Sequence, residues 1–166
     1  MSRTPISHPS ILPPDYYETM SGLETLQGMV EGRLPGPPIA RTLNFHLASV
    51  SEGEAVFEGS PGEESFNPIG SIHGGWAATI LDSALACCVH STLEKGERYT
   101  SVEMKVSFIR PIFPGKPGRL ICTGRVVNRG RTLAFSEATL VDEAGKVYAH
   151  GTETCMIFPK AGSNGA

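Results

Sequence analysis

Two rhythms of apolar residues divide this chain. Leu43 to Val50, Glu54 to Gly59, Val102 to Ile109, Leu120 to Val127, Thr132 to Val141 and Lys146 to Phe158 are short runs with many β-branched and aromatic residues. Bounded by turn formers, they predict six strands. Alternation is strict in the third run, where Val102, Met104, Val106 and Phe108 interleave with Glu103, Lys105 and Ser107, so one face of that strand is apolar. Ser51-Glu52-Gly53, Pro111-Ile112-Phe113-Pro114-Gly115, Asn128-Arg129-Gly130 and Asp142-Glu143-Ala144-Gly145 supply the turns, the last three closing successive strands of an antiparallel set.

The second rhythm lies between strands two and three. Trp76 to Val89 is almost wholly apolar and predicts a helix over 74–93 with no amphipathic face, a central helix wrapped by the rest of the domain. A sheet that buries one face needs a cover, and no other element is apolar enough. The prediction is an α+β roll, an antiparallel sheet curled around a long helix. Nearer the N-terminus, Asp15 caps an extra helix running to about Glu31, with Met20, Leu23, Leu26, Gln27 and Val30 as its stripe. Pro35-Gly36-Pro37-Pro38 stops it and serves as a connector. Residues 1–14, with four prolines, read as a mobile arm or an extended segment lying on a partner surface. The division is an arm and helix over 1–38, the main domain over 39–160, and a disordered tail over 161–166.

Composition narrows the partners. At 166 residues and 40% hydrophobic, the chain holds one domain with a proper core. A net charge of -3 with scattered Lys and Arg argues against nucleic acid or an anionic membrane as partner. No apolar window reaches the roughly 20 residues of a membrane span, and the first ten residues lack a signal-peptide core, which predicts a cytoplasmic protein. Cys87, Cys88, Cys122 and Cys155 have no metal-ligand spacing and read as reduced structural thiols. His46, His90 and His150 suggest no metal either and read as structural or exposed.

The chemistry concentrates in residues 67–82. Asp82 is the one carboxylate in the apolar helix, so it is satisfied by a structural partner or kept for reaction. Gly74 and Gly75 open the helix, where N–H groups lack intrahelical partners and the dipole is positive. They either polarise a bound carbonyl or form a tight junction. Asn67 either donates its amide to the same carbonyl or closes an Asx turn before Pro68. His73 either orients Asn67 and the bound group or fixes its own loop. Ser71 lacks the Gly-x-Ser-x-Gly frame of a nucleophile elbow.

Asn67, His73-Gly74-Gly75 six residues later and Asp82 nine residues after His73 are followed by Thr100-Ser101-Val102-Glu103-Met104 and Phe108-Ile109-Arg110-Pro111. Over roughly residues 40–158 this ordered set resembles the hotdog-fold acyl-CoA thioesterases of the phenylacetate-pathway type, within the 4-hydroxybenzoyl-CoA thioesterase superfamily. The resemblance implies hydrolysis of an acyl-CoA, coenzyme A being part of the substrate and no separate cofactor being needed. Asp82 would serve as general base or nucleophile. Asp82 lies roughly 12 Å along the helix axis from Gly74, at about 1.5 Å per residue, too far to share one thioester within a chain. A dimer, or dimer of dimers, brings Asp82 of one subunit to the Gly74 end of the other, as the resemblance also implies. It further implies a water-positioning hydroxyl at the start of the third strand. Ser101 matches best, although strand parity favours Thr100 unless that strand starts irregularly. For the thiol half, Arg129, Gly130, Arg131 and Thr132 sit on one hairpin tip, with Arg110 and Lys160 as further candidates. The competing readings are a hydratase or dehydratase of the same fold and a non-catalytic acyl-CoA-binding module.

Overall fold

A computed structural model of the chain describes residues 11–13 and 15–160. Most of the N-terminal arm and the whole of the expected tail lie outside the described residues. The strands are β1 (Phe45–Ser51), β2 (Glu54–Gly59), β3 (Arg98–Phe108), β4 (Leu120–Arg129), β5 (Leu133–Asp142) and β6 (Val147–Phe158). They form one antiparallel sheet in the order β1-β2-β4-β5-β6-β3. This is the hotdog roll, with its long helix α4 (Gly74–His90) laid across the sheet.

One connection differs from the hairpin its turn residues suggest. β3 pairs with β6, not with β4, so residues 109–119 carry the chain from one edge of the sheet back to its middle. Backbone bonds from Ile109 and Arg110 to Tyr148 O and from Ile72 to Ile112 O hold this crossover down. β3 is thereby left as an edge strand. Its apolar row stays open, with Met104 37% and Phe108 61% exposed.

The helix is also less enclosed than its composition predicts. Trp76, Ala77, Ile80, Leu81, Ala84, Leu85, Cys88 and Val89 are buried, pairs repeating every fourth residue on one face. The opposite face, Ala78, Thr79, Asp82, Ser83, Ala86 and Cys87, is half-buried. Small side chains on that face hide the periodicity from the sequence. The buried face sits very close to the sheet. A Cβ on Gly124 of β4 would lie 2.2 Å from the Ala84 carbonyl oxygen, so only glycine lets the two backbones approach this far.

The N-terminal region is three short helices rather than one long one. They are α1 (Tyr16–Thr19), α2 (Gly22–Val30) and α3 (Pro38–Thr42). Met20 is extended, and Ser21 starts α2 with a capping box: Glu24 N–H donates to Ser21 Oγ at 3.2 Å and Ser21 N–H to Glu24 Oε2 at 2.7 Å. That Ser-x-x-Glu signature divides the expected helix. Asp15 makes no side-chain cap, and the proline block ends by opening α3, with Pro38 at its first position. The start of α2 docks on the end of α4, where Gly22 N–H donates to Leu93 O at 2.9 Å. His90 is buried there between Tyr16 and Tyr99.

Two outcomes follow from this packing. Gly124→Ala forces the helix off the sheet and is expected to cost at least about 2–3 kcal/mol of stability; an unchanged urea midpoint would contradict the close approach. Burial lowers the His90 imidazole from its ordinary 6.5 to about 4. Between those values the unfolded chain takes up a proton that the folded chain refuses, so His90's contribution is full above 6.5 and lost as pH falls towards 4. His90→Phe should remove about 3 kcal/mol of that acid destabilisation, read from urea unfolding at each pH.

Candidate active site

The loop before α4 presents the helix N-terminus and is itself well tied. A 3-10 turn at Glu63–Ser65 leads into a short bridge between Phe66 and Ile72, and His73 N–H donates to Ser65 O at 2.7 Å. Asn67 belongs to this scaffold. Its Oδ1 accepts from the N–H groups of Ile69 and Ser71 at 3.1 and 3.2 Å, and its Nδ2 donates to Ser71 Oγ at 2.8 Å. The Asx-turn reading of Asn67 is therefore realised, leaving one amide hydrogen uncommitted.

His73 is the N-cap of α4. Its Nδ1 accepts from Gly75 N–H at 2.8 Å, so in this arrangement the ring proton is on Nε2. The bond also separates the two glycines: Gly75 spends its N–H on the imidazole, whereas Gly74 N–H takes part in none of the backbone hydrogen bonds of the described residues. Gly74 is the open donor at the positive end of the helix. A Cβ there would meet the Phe108 ring at 3.2 Å. Only glycine leaves both the ring and a ligand oxygen in place.

Gly74 opens into a cavity of about 380 Å³ lined by Ile72, His73, Gly74, Ala77, Phe108, Arg110 and Tyr148, among others. Arg110 is the one arginine of the expected set at this cavity, oriented by donation from Nη1 to Val147 O at 2.5 Å. Arg129 is held elsewhere. It pairs with Glu97 just before β3, at the opposite end of that strand from Phe108, and Gly130 N–H closes the hairpin onto Leu133 O at 2.8 Å. Arg131 and Thr132 are exposed on the same tip. The structure thus separates the Arg129–Thr132 tip from the Gly74 cavity of its own chain.

Asp82 sits on the half-buried face of α4, and none of the described hydrogen bonds or ion pairs includes it. Burial raises its proton affinity above the ordinary aspartate range. Ser101 reaches the same neighbourhood because β3 is irregular there. A bulge between Ser101 and Glu103 places Ser101 opposite Cys155 and Met104 opposite Glu153, so Ser101 shares the inner face with Met104, Val106 and Phe108. Thr100 faces out, opposite Met156. Parity alone would turn Thr100 inward; the bulge adds one residue and turns Ser101 inward instead.

One residue of this cluster is absent from the sequence reading. Glu153, on the inner face of β6, is 3% exposed and accepts from Ser101 Oγ at 2.5 Å. Burial, first, and the charge of Asp82 raise its proton affinity, while the Ser101 and Cys155 bonds lower it. The signal was present: Gly151, Glu153, Cys155 and Ile157 alternate inward, and a carboxylate in such a row is out of place. Burial pushes the Cys87 and Cys88 thiols up to about 12 and those of Cys122 and Cys155 higher still, so none is a thiolate nucleophile near neutral pH. Among the described residues, no group of three His, Cys, Asp or Glu is placed to hold a metal ion. Nor is any helix among them long and apolar enough to cross a membrane.

A polarising helix terminus with an unpaired N–H and a slot beside it, with a carboxylate further along the same helix, are groups of the kind an acyl-transfer site uses. Comparison with known proteins gives the family. The sequence profile of the thioesterase superfamily matches residues 69–149. Human acyl-coenzyme A thioesterase 13 is 34% identical over 109 residues, covering 65% of this chain and 76% of that protein. The crystal structure of a phenylacetic acid degradation-related protein from Ralstonia eutropha JMP134 superposes with a TM-score of 0.71 at 30% identity, covering 80% of this chain and 98% of that one. The PaaI protein of the Escherichia coli phenylacetic acid degradation operon has the same fold, with a TM-score of 0.71 at 21% identity over 88% of this chain and 96% of its own. The chain belongs to the thioesterase superfamily, as a hotdog-fold thioester hydrolase of the phenylacetate-pathway type.

Proposed function

We propose that the protein hydrolyses an acyl-CoA or arylacyl-CoA to the free acid and coenzyme A, at a site composed by two copies of the chain in the cytoplasm. The observation that carries this reading is the division of labour along α4, with an unpaired Gly74 N–H at its positive end and Asp82 a little over two turns away. The thioester carbonyl accepts from Gly74 N–H, which stabilises the oxyanion as water adds. Asp82 of the other copy takes the proton of that water, or attacks the carbonyl carbon itself to give an anhydride that water then opens. Collapse of the tetrahedral intermediate breaks the C–S bond, and the thiolate leaves as coenzyme A after taking a proton, the one held by Asp82 on the water route or one from solvent on the anhydride route. Arg110 at the cavity and Arg131 on the partner's hairpin tip suit the anionic thiol half.

A second copy also answers the exposure of β3. An edge strand with unpaired backbone groups and open Met104 and Phe108 favours pairing with another chain. A two-fold axis beside β3 makes two equivalent sites. A dimer of dimers is compatible with the same contact.

Thiol release from a panel of straight-chain and aromatic acyl-CoAs tests the reaction. Asp82→Asn is expected to lower kcat by about 10²- to 10⁴-fold while coenzyme A still raises its melting temperature. Because Asp82 acts ionised and burial raises its proton affinity, the acid limb of kcat/KM should fall at a pH above the ordinary aspartate range. Release of no thiol by the wild type would sink the hydrolase reading in favour of a lyase or a binding module.

Subunit complementation tests the composite site. Gly74→Val and Asp82→Asn are each expected to be inactive, and co-expression should restore about a quarter of wild-type activity, because half the dimers are mixed and each mixed dimer keeps one intact site. A mixture as inactive as its parents would contradict a site shared between subunits.

A further inference from the structure

Glu153 is a buried carboxylate that the proposed reaction leaves unused. It lies on the inner face of β6, opposite Met104 on β3 and Ser136 on β5. Its Oε1 accepts from Ser101 Oγ at 2.5 Å and from Cys155 Sγ at 3.1 Å. Its Oε2 is buried without a hydrogen-bond partner among the described residues, as is Ser136 Oγ. For packing alone an apolar side chain would serve better, since a buried carboxylate with an unpaired oxygen opposes folding. The group it holds, Ser101, is the hydroxyl that the Val102 bulge brings to the inner face. Glu153 also feels the charge of Asp82, which puts the three side chains in one neighbourhood.

We infer that Glu153 is a positioning residue of the hydrolytic site, which accepts the hydrogen bond of the Ser101 hydroxyl and so turns the Ser101 lone pairs towards water beside Asp82. The inference rests on the reading of Asp82 as the reactive carboxylate. A hydroxyl can meet water as donor or as acceptor. A Ser101 free to rotate donates to that water, occupying one of its two lone pairs and competing with attack. Pinned by Glu153, Ser101 only accepts. The water then gives one hydrogen bond to Ser101 and one to Asp82, both of its lone pairs stay free, and one of them faces the carbonyl carbon. As the C–O bond forms, the proton passes to Asp82. Ser101 keeps its own proton throughout, so Glu153 acts through Ser101 and never touches the substrate.

The test is thiol release from the best acyl-CoA of the panel by wild type, Glu153→Ala, Glu153→Gln, Ser101→Ala and the Ser101→Ala/Glu153→Ala double variant. Circular dichroism checks each fold, and Glu153→Leu replaces the alanine variant if the latter does not fold. Glu153→Ala is expected to lower kcat by about 10- to 100-fold, the scale of a misplaced reacting group. KM should stay within about twofold, and Glu153→Gln, which keeps the Oε1 acceptor, should retain activity within about threefold of wild type. In the Ser101→Ala background, loss of Glu153 should cost nothing further, because the group it positions is gone. Wild-type kcat in Glu153→Ala, a glutamine variant as impaired as the alanine one, or full additivity in the double variant would each overturn the inference while leaving the hydrolase reading intact. A wild type that releases no thiol overturns that reading, and the inference with it.

Discussion

The tight seat of α4 on the sheet is the constraint from which the rest of the molecule follows. Gly124 beneath Ala84 lets the helix backbone come into contact with β4, and close packing over Ile80, Leu81, Ala84 and Leu85, all fully buried, then fixes its rotation about its own axis. Once that rotation is set, Asp82 can only lie on the half-open flank, and Gly74 can only point its N–H out of the end of the helix. A half-buried carboxylate and an open backbone donor are thus oriented by apolar packing that touches neither. In the proposed reaction this orientation would act as preorganisation.

The same seat leaves one side of the helix without a cover from its own chain. A six-stranded sheet covers one side of a 17-residue helix, and the other side, lined with Ala, Thr, Ser and Asp, is too polar for a core and too apolar for bulk solvent. β3 follows the same logic at the sheet edge. Its inner row continues the apolar face past the point where the chain's own helix can cover it. Both features are what the proposed two-copy site would cover.

Much of this architecture was legible in the sequence because strand alternation and turn chemistry are local. All six strands and the central helix lie where the apolar rhythm places them, to within a few residues. Non-local decisions were not legible. Nothing in residues 98–108 announces pairing with β6 rather than β4, and the small residues facing away from the sheet on α4 disguise a one-sided helix as a wrapped one. The break at Met20 and Ser21 was legible, through Ser21 and Glu24, but is easily overridden by an apolar stripe that continues across it. At the candidate site, the Asn67-to-Asp82 spacing singles out one stretch of chain, and the tertiary fold decides who is occupied: His73 claims Gly75, Asn67 closes its own loop, and Glu97 claims Arg129. The bulge at Val102 reverses the parity of two adjacent hydroxyls, a one-residue event that no pattern of polar and apolar letters reveals.

Trp76, the only tryptophan of the chain, lies two residues beyond Gly74, is 3% exposed and donates from Nε1 to Leu43 O at 2.6 Å. The indole is thereby anchored to the residue just ahead of β1 while riding on the first turn of α4. Its fluorescence is therefore a built-in optical gauge of that joint: an emission maximum near that of a desolvated indole reports a seated helix terminus, and a red shift reports one that has lifted, with no label added to the protein.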